Sequence, residues 1–302
     1  MSKKLETKHD RLLHHAAQTG DAQEVSRILD TGRVHVDCAD EDGITPLMLA
    51  AADGHLDCVK ILVTEGAEIN AQRESGSSAL FFATQSGHFA VAEHLVQAGA
   101  AVNLENNDGA TVLFVASQFG RMDIAHLLVR YGAKPDKVMM DGATPLFLAA
   151  QNGHLSLVRF LLSKGAHLHH RRDDGASALW IASQCGHADV VRELMRRGAD
   201  VDCAREDGAT PLFKAAHKGH AAVVEELLQR KPRLGLLRNG ESPLHAACLF
   251  GHMPVVKLLI QYRAVPLLRN KAGETPMELA QQMGYDHIVN YLQRFQAIET
   301  SV

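Results

Sequence analysis

Apolar residues come in two short helical bursts, give way to a polar stretch, and then the cycle repeats along the chain. Residues 142–165 show one cycle. Thr144 reads as an N-cap and Pro145 as the first helical residue, where the missing N–H of proline costs nothing. Leu146, Leu148, Ala149 and Ala150 fill a short helix, and Gly153 supplies its left-handed cap. His154 opens a second helix, in which Leu157, Val158, Phe160, Leu161 and Leu162 recur at helical spacing until Gly165 ends it. The following polar stretch, such as 67–74, is long enough for an extended, hairpin-like arm that carries a turn at Asp-Gly.

The cycle has a fixed length. Gly43, Gly76, Gly109, Gly142, Gly175 and Gly208 recur every 33 residues, Gly240 follows at 32 and Gly273 at 33. A second ladder, Gly54, Gly87, Gly120, Gly153, Gly186, Gly219, Gly251 and Gly284, keeps the same register. Helices of about ten residues are not stable alone, so each unit must bury its apolar face against its neighbours. The expected fold is all-α, a solenoid of stacked helix-turn-helix units with short β-hairpin-like arms. Nine units are read over residues 9–293, between an N-terminal tail (1–8) and a C-terminal tail (294–302). The first unit starts polar, and the ninth places Glu278 and Gln281 where inner units have apolar residues or Ala, as capping units should.

Thr-Pro-Leu at 45–47, 144–146 and 210–212, followed in register by Ala-Ala and Gly-His, resembles the ankyrin repeat over about residues 9–293. The resemblance implies a binding module that takes a protein partner in the groove between arm tips and first helices. Two departures stand out. The position after Thr-Pro-Leu, usually His in that family, reads Met48, Phe81, Phe114, Phe147, Trp180 and Phe213 before His245 appears. These rings read as packing between units rather than as a strip facing a ligand. In residues 230–240, Lys231-Pro232 replaces the helix-ending Gly-Ala and one residue is missing. Pro232 is expected to stop the helix, with a local break in the regularity of the stack.

Composition narrows function mainly by exclusion. No apolar run approaches the length of a membrane span, and the start, Met1-Ser2-Lys3-Lys4-Leu5-Glu6, lacks the apolar core of a secretory signal. Five scattered cysteines without C-x-x-C spacing read as reduced, buried small hydrophobes, so a cytoplasmic chain is expected, with the nucleus as the other compartment open to it. Charge is uneven: residues 1–150 hold 12 Lys+Arg against 20 Asp+Glu, and residues 151–302 hold 19 against 15. The basic half has no interleaved aromatics, so nucleic acid is not expected as a partner.

Several constellations could carry chemistry. His55, His88, His154, His187, His220 and His252 fall one per unit, too far apart to share a metal ion, and read as helix starts. His167, His169 and His170 cluster before Arg171-Arg172 without a Cys or acid to complete a tetrahedral set, so no metal is expected. Gln18, Gln85, Gln118, Gln151, Gln184 and Gln282 occupy one column, where an amide ladder suits a peptide backbone and also suits an exposed helix. The partner-contact candidates are Gln85, Gln118, Gln151, Gln184, His217, Lys218 and the exposed-looking pair Leu249 and Phe250. Asn70, with Leu62 eight before, Glu68 two before and Ile69 one before, is similar to the acceptor pattern of the asparaginyl hydroxylase that modifies ankyrin repeats. Glu299-Thr300-Ser301-Val302 resembles a class I PDZ ligand.

No nucleophile–base–acid set, phosphate loop or dinucleotide fingerprint rises above the repeat, so no catalytic residue and no cofactor are expected. About ten residues after the last helix leave no room for a ubiquitin-ligase recruiting box. The leading expectation is a monomeric, non-enzymatic scaffold or adaptor. The alternative is an adaptor whose tail docks a PDZ domain while the repeats hold a client.

Overall fold

A computed structural model describes residues 7–299. Among them are eighteen α-helices, no strand, and one isolated antiparallel bridge between Arg171 and Ser177. The chain forms two compact units that divide at Pro145 and Leu146. The first holds α1 (Lys8–Thr19) and α2 (Ala22–Asp30), α3 (Pro46–Asp53) and α4 (Leu56–Thr64), α5 (Ala79–Ser86) and α6 (Phe89–Gln97), and α7 (Val112–Gln118) and α8 (Met122–Arg130). The second holds α9 (Pro145–Gln151) and α10 (Leu155–Ser163), α11 (Ala178–Cys185) and α12 (Ala188–Arg196), α13 (Pro211–Lys218) and α14 (Ala221–Leu228), α15 (Pro243–Leu249) and α16 (Met253–Gln261), and α17 (Pro276–Gln282) and α18 (Asp286–Glu299). Within each unit, odd-numbered helices pack on odd-numbered neighbours, as α3 does on α5 and α11 on α13, even on even, as α2 does on α4 and α12 on α14, and first helices pack on the second helix that follows, as α1 does on α2 and α11 on α12.

Most first helices begin at a hydroxyl that caps them, although Ser78 before α5 and Thr111 before α7 make no such bond. The Thr45 and Thr210 hydroxyls accept from Met48 N–H and Phe213 N–H, and Ser242 and Thr275 form capping boxes with His245 and Glu278. Small residues let the layers approach: Ala50 and Ala51 in α3, and Ala215 and Ala216 in α13, are fully buried. The column after Thr-Pro-Leu is interior throughout, with Met48, Phe81 and Phe114 buried in the first unit and Phe147, Trp180, Phe213 and His245 in the second. Trp180 also keeps the polar task of the histidine it replaces. Its indole N–H donates to the Ala209 carbonyl at 2.9 Å, as His245 Nε2–H donates to the Glu274 carbonyl at 3.1 Å.

The Gly-His pairs do more than start helices. No His at these positions caps its own helix with its side chain. The rings of His55, His88, His187, His220 and His252 instead lie over the cap glycine of the preceding repeat and reach that helix's last turn. His187 Nε2–H donates to the Gln151 carbonyl at 2.9 Å, His220 to Gln184 at 3.0 Å and His252 to His217 at 3.1 Å. In the first unit His55 donates to Gln18 and His88 to Ala52, and Arg121 Nη2 replaces the imidazole on Gln85. Gly153 shows why the position excludes a side chain: φ is +73°, and a Cβ there would lie 2.5 Å from His187 Nδ1.

The arms close as turns rather than paired strands. Gly76 N–H donates to the Arg73 carbonyl and Arg73 N–H to the Ser77 carbonyl. Arms are tied to one another by Glu74 N–H on the Asp42 carbonyl, and by a side-chain column in which Asp37, Asn70 and Asn103 accept from the next arm. At the one-residue slip, α14 ends at Leu228, ahead of Pro232 rather than at it. Proline disfavours helical backbone in the residue before it, and Lys231 takes φ of 53° where the preceding repeats place glycine, as Arg263 does at 66° in the next repeat. The expected break in regularity is confined to this second helix and its arm. Arg233 N–H still bonds Asp202 Oδ1, and Lys271 Nζ still bonds the Arg238 carbonyl. Of the five free cysteines, expected to be buried, only Cys58 and Cys248 are; Cys38, Cys185 and Cys203 sit half-exposed at helix ends and arms. Burial pushes the Cys248 thiol up to about 12.

The second helices of the second unit carry a charged seam. Glu193 of α12 shares its repeat position with the apolar Ile61, Leu127 and Phe160 and with the polar His94 and Glu226, and is 4% exposed. It accepts from Arg196, Arg197 and Arg159 of α10. Those bonds, Arg196 foremost, outweigh desolvation and hold the carboxyl at about 2 against an ordinary 4.5.

Two stability outcomes follow. Gly153→Ala should lose more stability in urea unfolding than Gly165→Ala, because both carry the left-handed strain of about 1–2 kcal/mol but nothing lies within 4 Å of a Cβ at Gly165. Equal losses would remove the histidine contact as the cause. Because the Glu193 pKa is depressed on folding, its contribution is present above about 4.5 and fades as pH falls through about 2. The stability difference between wild type and Glu193→Gln should therefore shrink over that range; a pH-independent difference would show that the charge is not its source.

Candidate functional site

The glutamine column divides between backbone and side chain. Its carbonyls, at Gln18, Gln85, Gln151 and Gln184, are taken by the next repeat's His or Arg, so they are part of the frame. The amides differ. Gln85 and Gln118 are exposed at the ends of α5 and α7, whereas Gln151 and Gln184 in the second unit are half-buried. Gln282 is exposed, and its Nε2–H₂ donates to Glu274 Oε1 at 2.8 Å.

In the second unit the same column continues as His217, then Leu249. Leu249, expected to be exposed, is half-buried; Phe250 alone carries the exposed apolar surface, at 44%. One residue is missing between Gly208 and Gly240, yet His217 and Phe250 meet, their ring centroids 4.3 Å apart. Phe213 and His252 flank them at 6.4 and 6.3 Å, giving a row of four rings at the ends of α13 and α15. His217 Nδ1 is sealed in that row without a hydrogen-bond partner among the described residues. Burial first, then Lys214, Lys218 and His252, push the His217 imidazole below its ordinary value, so it stays neutral near pH 7.

The cations around this row are poorly compensated. Lys214 lies with Nζ 5.7 Å from the Trp180 ring centre, with Arg205 5.3 Å away from the same ring. Burial and Lys218 lower the Lys214 pKa, while Asp207 opposes them. Lys218 is exposed beside Phe250's ring row. One arm over, Arg172 sits above Phe147, and Asp174 bridges Arg172 at 2.9 Å and Arg205 at 3.3 Å. Desolvation raises the Asp174 carboxyl, but the Ala176 N–H bond and these arginines together bring it below the ordinary range. This arginine-over-ring arrangement was not anticipated. Its signal was present in the arm arginines Arg73, Arg172 and Arg205, which share a repeat register with the aromatic column.

The other candidates are placed as follows. Asn70 is half-buried, its Oδ1 accepting from Ala101 N–H at 2.8 Å, so its first duty is to join two arms. Among the described residues no group of three or more His, Cys, Asp or Glu is placed to hold a metal ion. No described helix is long and apolar enough to cross a membrane. Glu299 is the last residue of α18, while Thr300, Ser301 and Val302 of the tail motif lie outside the described residues.

Comparison with known proteins agrees with this frame. A 48-residue stretch is 56% identical to human ankyrin repeat domain-containing protein 29, covering 16% of either chain. A 67-residue stretch is 47% identical to the protein of the same name from Danio rerio, covering 22% of either. A 65-residue stretch is 45% identical to human ankyrin repeat domain-containing protein 49, covering 22% of this chain and 27% of that one. The matched stretches thus span from about a sixth to about a quarter of these relatives' own lengths. The family model for ankyrin repeats in three copies matches residues 3–73, 48–139, 80–172, 146–236 and 230–300. With glycine caps, bridging histidines and Thr-Pro-Leu helix starts recurring in both compact units, the chain belongs to the ankyrin-repeat family.

Proposed function

We propose that this chain is a non-enzymatic adaptor whose second unit binds a segment of a partner protein across the ends of α13 and α15. Ankyrin repeats are protein–protein interaction modules, and that supports the general class. The observation that carries the finer reading is the exposed Phe250 ring packed at a tilt against His217 beside Lys214 and Lys218. An aromatic side chain already fixed by a neighbouring ring loses little freedom on binding, and uncompensated cations beside it favour a partner segment with acidic residues. Gln151, Gln184 and the exposed edge of Leu249 extend the same face. Gln85 and Gln118 offer a comparable but more exposed amide surface in the first unit.

Phe250→Ala combined with Lys218→Glu should reduce capture of the wild-type partner set by at least about tenfold, since one anchor residue is commonly worth about 2 kcal/mol or more. Quantitative affinity capture with the full chain checks this, with thermal melts to confirm that the variant folds. Unchanged enrichment of every partner would sink the proposed face.

A further inference from the structure

A second surface, on the opposite layer of helices, has the chemistry of an anion site. Glu193 holds three guanidiniums around one carboxylate. Arg196 uses Nε and Nη2 on the two oxygens, at 3.2 and 2.7 Å. Arg197 reaches Oε1 through Nε at 2.9 Å, and Arg159, from the preceding second helix, reaches Oε2 through Nε at 3.3 Å. Three positive charges against one negative leave an excess of two. The neighbouring pair, Arg192 with Glu226, is balanced and does not reduce it.

The bonding pattern leaves the terminal nitrogens of two of the three arginines unused by the carboxylate. Arg159 and Arg197 touch Glu193 through Nε alone, and their terminal nitrogens have no partner among the described residues. The side chains remain 57%, 36% and 63% exposed for Arg159, Arg197 and Arg196, while Glu193 beneath them is 4% exposed. A buried carboxylate under exposed guanidiniums works as a fastener: it orders three long side chains before any ligand arrives, which lowers the entropy lost on binding. The column holds Phe160 in the preceding repeat and Glu226, paired with Arg192, in the following one, so an apolar residue can stand at this position and the second unit uses a carboxylate there in both α12 and α14.

We propose that Arg159, Arg196 and Arg197, held by Glu193, form a binding site for the phosphomonoester of a phosphorylated Ser or Thr on a partner protein. A phosphomonoester carries a charge of about −1.5 to −2 at neutral pH and three acceptor oxygens, which matches the excess charge and the three donor directions. A carboxylate has one charge and fits less well. A membrane phosphate is the weaker match: exposed Asp189 and Glu225 lie on the same helices α12 and α14, so the surface is of mixed sign, whereas membrane recognition uses runs of basic residues. The site does not depend on the first-helix face proposed above, and either can fail without the other.

The test is fluorescence anisotropy on the full chain with a degenerate peptide pool carrying a central phosphoserine, beside the same pool unphosphorylated. Inorganic phosphate and phosphatidylcholine vesicles containing phosphatidic acid serve as separate arms. The expected result is that the phosphorylated pool binds at least about tenfold more tightly than its twin, the scale of one charge-assisted hydrogen bond. Free phosphate should compete weakly, and affinity should fall with salt. R159A/R197A should abolish the preference, and R159K/R197K, which keeps charge but loses the planar two-donor edge, should fall between. If the alanine pair unfolds, the lysine pair is the readout, and a wild-type preference in it overturns the role of the guanidinium edges. Equal binding of both pools, binding of neither, binding to vesicles alone, or a preference unchanged in R159A/R197A each overturns the proposal.

Discussion

The contact on which both units depend is a ring of one repeat lying flat over the cap glycine of the repeat before it. The cap needs left-handed backbone, and the ring needs the absence of a Cβ, so one residue type satisfies two demands at once. The imidazole then donates to a carbonyl at the end of the preceding first helix, a group that has no partner within its own helix. A short helix leaves several such carbonyls open in a packed interface, and the bridging His55, His88, His187, His220 and His252 each close one while setting the distance between helices. Because Nε2 must carry the proton for this bond, the tautomer is fixed and the histidine ladder is committed to structure.

The same logic explains the substitutions. Arg121 and Tyr285 stand where histidine stands elsewhere, and each still covers the glycine before it. Trp180 replaces a buried histidine and retains its hydrogen bond through the indole N–H. What the repeat preserves is an N–H or a flat group at a given place, and several residue types supply it. Positions free of this duty are where the chain becomes individual. The His217–Phe250 ring pair, the arginines over Phe147 and Trp180, and the Glu193 cluster are not part of the repeating glycine–histidine contact, and all lie in the second unit.

Much of this was legible in the sequence. The helix-turn-helix unit, its Thr-Pro start, its glycine ends and the buried character of the Met48-to-Phe213 column follow from local rules that act within a few residues. The candidate face was legible only as a column of positions. Which members of it were available was not: Gln151 and Gln184 sink into the surface, Leu249 is partly covered, and Phe250 is held out. Exposure depends on what the adjacent repeat places alongside, and that residue is some thirty positions away. Likewise Pro232 signalled an interruption, but its location at Leu228 and the unbroken arm bonds around it depend on how Lys231 and Arg233 meet the neighbouring arm.

By itself, then, the sequence determined the repeat, the fold and the class of function, because a 33-residue period of short amphipathic helices has one stable outcome, which is to stack. Tertiary structure alone decided that histidines bridge repeats rather than cap helices, that a ring row forms across the one-residue slip, and that one buried glutamate gathers three arginines from two helices. The histidine bridges, the ring row and the Arg159–Glu193 bond all join residues more than thirty positions apart. Periodicity states that such residues face their neighbours; only the distances and the remaining unpaired charge state what they do there.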